Sequence, residues 1–139
     1  MIYHLLYFSV ASRPPKKEDI DGILNQSVEN NRKNGITGML MYRTGFFIQL
    51  LEGEEENVKA LYQKIEKDQR HRDSKILLEY TDQSRIFPQW YMGMIAEPLD
   101  SKELFDIVKP LQDPRLRFSE DQSKQAIAVL KNFSKKYTP

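Results

Sequence analysis

Two apolar runs separated by three residues limit what this chain can fold into. Ile36-Thr37-Gly38-Met39-Leu40-Met41-Tyr42 and Phe46-Phe47-Ile48-Gln49-Leu50-Leu51 flank Arg43-Thr44-Gly45, a connection short enough for a hairpin. Both runs are apolar at odd and even positions alike. Successive side chains of a strand point to opposite faces, so a hairpin apolar on both faces needs cover on both. The rest of the chain has to provide it.

The flanking sequence reads as the means. Residues 2 to 9 are β-branched, aromatic and aliphatic and predict a first strand. Pro14-Pro15 end it and open a helix that runs to about Arg32 and stops at Asn34-Gly35, a left-handed cap signal. Its inward stripe is Ile20, Ile23, Leu24, Ser27, Val28 and Asn31, polar toward its lower half. Glu54-Glu55-Glu56 start a second helix with Val58, Leu61, Tyr62 and Ile65 inward, ending near Asp68-Gln69-Arg70-His71. Strands are expected at Ser74 to Thr81 and at Trp90 to Ala96. The expected class is α+β, a ferredoxin-like βαββαββ sheet. Asp100-Ser101-Lys102-Glu103 and Ser119-Glu120-Asp121-Gln122 look like capping boxes for two more helices. The second of these carries Ala126, Val129, Leu130 and Phe133 on one side. The first two helices would cover one sheet face and the carboxy-terminal helices the other. Residues 1–97 form the expected core and 98–139 a helical extension of the same domain.

Composition removes several functions. With 139 residues and a net charge of +1, the chain has the size of one domain and no electrostatic footprint for nucleic acid or an anionic membrane. There is no cysteine, hence no disulfide, thiolate metal site or cysteine nucleophile. No apolar stretch approaches a membrane span, and the start shows no targeting segment, so a soluble cytoplasmic protein is expected. Two histidines without paired carboxylate spacing make a poor metal site. His4 alternates away from Tyr7 and reads as structural or partly exposed. No acid–base or nucleophile–base pair can be placed, so an enzyme is not expected.

Against this background Gln49 stands out, a single amide inside an apolar strand closed by Glu52-Gly53. A buried amide without partners costs roughly 1–3 kcal/mol. Alternation puts Phe47, Gln49 and Leu51 on one face, and Tyr3, Leu5, Tyr7 and Ser9 on one face of strand one. A ferredoxin-like sheet places strands one and three side by side, so Tyr7 and Gln49 become neighbours, with Asn31 and Asn30 descending from the first helix. A phenol and two kinds of amide then line a slot suited to a flat heterocycle with alternating donors and acceptors. The plainer alternative is that Tyr7 and Gln49 satisfy each other in an ordinary core.

At these residues the sequence resembles the BLUF domains, which sense blue light using FAD. The resemblance rests on Tyr7, on Ser27 with Asn30-Asn31, on Asn34-Gly35-Ile36-Thr37-Gly38 and on Phe47-Ile48-Gln49-Leu50-Leu51-Glu52-Gly53. It continues through Asp68-Gln69-Arg70-His71 and Trp90-Tyr91-Met92. Each fragment is weak alone; all of them in order are specific. The resemblance implies that Asn31 holds the flavin N3–H and the neighbouring carbonyl with Asn30 assisting. It implies that Gln49 sits between Tyr7 and the flavin, beside Phe47, and that Ile23 and Ile65 sandwich the ring. Arg70 and His71 would lie at the outer edge, with Asp68 ordering their loop. Lys64 would meet the phosphates as a point charge. Only the resemblance separates FAD from FMN.

The implied mechanism does no chemistry on a substrate. Light draws an electron from Tyr7, its proton moves through Gln49, and the Gln49 amide returns rearranged, by rotation or tautomerisation. The new hydrogen bond shifts absorption slightly to the red. Strand five, with Trp90 and Met92 as relay, would pass the change outward. Output is expected through a downstream signalling protein or a change in homo-oligomer state, with Phe105, Val108, Leu111, Leu116 and Phe118 either the contact stretch or part of the core. Another class remains open, a ferredoxin-like RNA-binding module such as an RRM, or a small-ligand-binding module without photochemistry. Arg43-Thr44-Gly45-Phe46-Phe47 weakly resembles the RRM aromatic strand, although the residue order and the near-neutral charge do not suit it.

Overall fold

The hairpin forms, and a sheet assembles around it. The computed structural model describes residues 1–13, 16–43, 45–89, 91–95 and 119–136. In chain order the elements are β1 (Ile2–Ala11), α1 (Lys17–Asn34), β2 (Thr37–Arg43), β3 (Phe46–Gly53), α2 (Glu55–Glu66), β4 (His71–Asp82), β5 (Gly93–Ile95) and α3 (Glu120–Lys136). The five strands lie in the order β4-β1-β3-β2-β5. β1 through β4 pair antiparallel, and β5 adds to β2 in parallel, Met39 opposite Gly93. This is the ferredoxin-like topology with a fifth strand at one edge.

Both faces of the sheet are covered, as its double-sided apolar character demands. On one face Leu5, Tyr7, Leu40, Phe47 and Leu51 pack with Val58 and Tyr62 of α2, and Ile23 and Val28 of α1 join them. On the other, Leu6, Phe8, Met39, Met41, Ile48 and Leu50 pack with Ala126, Ile127 and Leu130 of α3. An RRM needs an open sheet face for bases. Here Phe47 is buried under the helices, and no such face is available among the described strands.

Local sequence explains the turns that set this geometry. α1 ends at Gly35 in the left-handed region at φ 65°, and the Ile36 N–H donates back to the Asn31 carbonyl at 3.0 Å. Gly38 lets β2 approach β3: a Cβ there would fall 1.9 Å from the Leu50 carbonyl oxygen. α3 opens with the expected capping box. Ser119 Oγ accepts the Gln122 N–H at 3.1 Å, and Gln122 Oε1 accepts the Ser119 N–H at 2.9 Å.

Two expectations shift. β4 begins at His71 rather than Ser74, because β1 extends to Ala11 and pairs with it. The polar stretch His71-Arg72-Asp73 hides this start, and Asp73 sits at φ 54° beside a register irregularity. β5 is described only from Gly93 to Ile95. Of the two readings of His4, the structural one holds: it is fully buried, stacked on Tyr80 with ring centroids 4.4 Å apart. Pro14-Pro15, Trp90, the helix expected after Asp100 and the stretch Phe105 to Phe118 lie outside the described residues, as do the side chains of Ile20, Leu24, Val129 and Phe133.

Candidate functional site

The α1/α2 face of the sheet carries a cavity whose floor is built by register. Tyr7 lies opposite Gln49 across β1 and β3, and Leu40 lies opposite Gln49 across β2 and β3. Central strands hold these three in one row. The Tyr7 hydroxyl donates to Gln49 Oε1. Gln49 Nε2 donates to Met92 Sδ at 3.1 Å. Tyr7, Gln49 and Met92 are all at least 95% buried. A thioether is a weak acceptor, so the carboxamide is only partly satisfied by the described residues. Burial drives the Tyr7 phenol far above its ordinary range, with Tyr62 and Asp68 adding to the effect. Tyr7 therefore holds its proton at any physiological pH.

The walls come from two helices. Ile23, Ser27 and Asn31 of α1 recur on one side at spacings of four, and Leu61 and Ile65 of α2 face them. Asn31 is 1% exposed. Its Nδ2 donates to the Tyr91 carbonyl at 2.7 Å, which fixes the amide and leaves Oδ1 free to accept. The rim is made where α2 passes into β4. Asp68 accepts the Arg70 backbone N–H at 2.9 Å and the Arg70 Nε at 2.9 Å. The hydrogen bonds from Arg70 pull the Asp68 carboxyl below its ordinary range. His71 Nε2 donates to the Ile65 carbonyl, and its ring lies edge-on to Phe47, centroids 6.3 Å apart.

Of the residues picked from sequence, the structure gathers Tyr7, Ile23, Ser27, Asn31, Phe47, Gln49, Ile65, Asp68, Arg70 and His71 around one cavity. Met92 reaches it through Gln49. Asn30 and Lys64 are exposed and do not line the cavity. One residue along a helix turns the side chain about 100° away, so Asn31 inward puts Asn30 outward and Ile65 inward puts Lys64 outward. Trp90 lies outside the described residues. Sequence reasoning missed Leu40 and Leu61 as lining, and Tyr62, whose ring is 5.3 Å from that of Tyr7. Leu40 was findable from hairpin register and Leu61 from its spacing to Ile65. The Tyr91 carbonyl carries no sequence signal, since every residue has one.

The cavity encloses about 560 Å³ of free space with its open mouth included. Apolar walls, a carboxamide on the floor and a second carboxamide on one side suit a flat heteroaromatic ring with a polar edge. A flavin fits this donor set: Asn31 Oδ1 can accept from a ring N–H, and the second N–H of either amide can meet a ring acceptor.

Known proteins give the same answer. The family model described as BLUF, sensors of blue-light using FAD, matches residues 2–93. The photoactivated adenylate cyclase subunit beta of Euglena gracilis is 34% identical over 110 residues, which is 78% of this chain and 12% of that protein. Among solved structures, BlsA in its photo-activated state superposes with a TM-score of 0.77 at 28% identity, covering 94% of this chain and 95% of BlsA. BlrB, a BLUF protein in its dark state, superposes with a TM-score of 0.75 at 25% identity, covering 95% of this chain and 96% of BlrB. The cyclase activity of the Euglena protein belongs to that far longer chain. The family match takes in every element that builds the cavity, from β1 to the first residue of β5, and this chain belongs to the BLUF family, sensors of blue light using FAD.

Proposed function

We propose that this chain is a blue-light receptor that binds FAD non-covalently between α1 and α2 and switches through Gln49. One observation carries the reading. A nearly buried carboxamide stands between a phenol that donates to it and a thioether that accepts from it, on the floor of a cavity fit for a flavin.

A bound flavin supplies blue-light absorption and, once excited, an electron-accepting ring. Everything else falls to side chains. Asn31 orients the ring's polar edge, Ile23 and Ile65 hold its faces, and Arg70 and His71 border the mouth. Tyr7 gives up an electron. Oxidation makes a phenol strongly acidic, so the proton passes to its acceptor, Gln49 Oε1. Electron and proton then return to Tyr7. The carboxamide is left rearranged, by rotation or tautomerisation, and presents the ring with a different hydrogen-bond partner. Absorption moves slightly to the red.

Rotation has a consequence at Met92. It turns the carbonyl oxygen toward a sulfur that now receives an N–H, and two acceptors do not bond. Met92 must then move or lose its contact, and β5 begins at the next residue. We assign Met92, with Trp90, as the relay, and expect the signal to leave by contact with another protein or by altered self-association.

The deciding measurement is an absorption spectrum of purified protein in darkness and after blue illumination, with extraction of the pigment. A yellow protein releasing FAD, whose bands move reversibly to longer wavelength, is the expected result. Protein that stays colourless when supplied with FAD, or a spectrum indifferent to light, rejects the reading.

A further inference from the structure

β3 carries a second buried polar side chain, three residues past Gln49 and on the opposite face. Glu52 has no exposed surface. A carboxylate taken wholly out of water is costly unless donors surround it, and donors do. Oε2 accepts the Ile86 N–H at 2.7 Å, while Oε1 accepts the Phe87 N–H at 2.6 Å and the Thr37 hydroxyl at 3.1 Å. His4 Nε2 lies 3.1 Å from Oε2 but outside hydrogen-bond geometry. Arg85 strengthens the attachment, donating to Thr37 Oγ1 at 2.8 Å and to the Gly35 carbonyl at 2.7 Å. The connection between β4 and β5 is thus fastened at Arg85, Ile86 and Phe87 to the ends of β2 and β3.

The same connection is gripped again on the cavity side, by Asn31 at the Tyr91 carbonyl and by Gln49 at Met92 Sδ. Gln49 and Glu52 both stand on β3. One rigid central strand therefore holds both ends of residues 85–92. If the Glu52 end were slack, a turn of Gln49 would be absorbed along the connection. With that end fixed, the displacement is delivered to Met92 and to β5, which is bonded to β2.

We propose that Glu52 is a positioning residue for the light response: by anchoring the Ile86 and Phe87 amides it presents Met92 to Gln49 and directs the motion into β5. The proposal rests on the photoreceptor reading above. Glu52 touches neither the cavity nor Gln49, so its effect should separate transmission from photochemistry.

The test uses the full chain loaded with FAD, comparing wild type with Glu52→Gln. The variant keeps one acceptor oxygen and loses the other. Amide exchange at Ile86 or Phe87 should quicken in darkness by about 10- to 100-fold, the equivalent of one lost charge-assisted hydrogen bond. The flavin spectrum and its red shift should stay as in wild type. The light-induced change in amide exchange at residues 91–95, and in the fluorescence of Trp90, the only tryptophan in the chain, should be lost or fall several-fold. A merely structural role would not split the shift from its transmission in this way. Quickened exchange at 86 and 87 with an undiminished light response at 91–95 overturns the proposal. Should Glu52→Gln fail to fold, Thr37→Val removes one donor to Oε1 and the acceptor for Arg85, and an undiminished response there overturns it equally. A wild-type protein without any red shift fails the photoreceptor reading itself, and this proposal falls with it.

Discussion

Tyr7 and Gln49 meet in the centre of the sheet, both nearly buried on the cavity floor. Tyr7→Phe removes the donor to Gln49 Oε1 and leaves a buried acceptor short of a partner, so unfolding free energy should drop by about 1–3 kcal/mol. The same variant should retain flavin and lose the light-induced red shift, because phenylalanine has no phenolic proton to give. Chemical denaturation checks the first outcome and difference spectroscopy the second; a normal red shift in Tyr7→Phe rejects Tyr7 as the donor. Asp68 tests electrostatics at the rim. Its folded pKa is depressed by Arg70, so the pair stabilises the fold at neutral pH, and that contribution fades as pH falls below the ordinary carboxylate value of about 3.9. Both side chains are partly exposed, which limits the pair to less than about 1 kcal/mol. Asp68→Asn should therefore melt slightly below wild type at pH 7 and alongside it in acid. A difference that widens on acidification would show the sign to be wrong.

Elements were legible wherever a period and a stop signal coincided. The hairpin, the α2 stripe and the α3 capping box each combine both, and the side-by-side placement of Tyr7 and Gln49 followed from sheet order and alternation alone. Other features were hidden for physical reasons. The first residues of β4 are polar because an edge strand faces water, so they look like loop. In Asn30-Asn31, by contrast, helical spacing marks Asn31 as the inward amide, and the structure buries it. Glu52 reads only as the polar end of its strand before Gly53, although its pairing with His4 across β1 and β3 places two polar side chains on one face, the signal that could have exposed the anchor. The cap of α3 offers a clean element-scale test. Ser119→Ala deletes the acceptor for the Gln122 N–H and should lower stability by about 1 kcal/mol, a few degrees in melting temperature. α3 packs on the face away from the cavity, so the flavin spectrum of the variant should match wild type. A spectral change would mean the two faces are coupled through α3 as well as through β3.

Across the whole molecule the cavity is the place where folding free energy can be gained from a ligand. A ligand that binds only the folded state adds about 2.7 kcal/mol at a hundred times its dissociation constant. Melting temperature in darkness should therefore rise with flavin concentration. Asn31→Ala, which deletes both the fixed amide and its tie to Tyr91, should need more flavin for the same rise; an unchanged dependence would remove Asn31 from the site. Comparing FAD with FMN asks how much of the ligand the protein grips. Among the described residues lining the cavity, Arg70 is the guanidinium at the mouth, and Asp68 already holds it on two sides. The chain has no glycine-rich phosphate loop. Recognition should thus centre on the ring, and FAD and FMN should raise the melting temperature at concentrations within about tenfold of each other, a difference of about 1.4 kcal/mol. A much stronger response to FAD would mean that the adenylate half finds its own built site, with charged side chains beyond this rim.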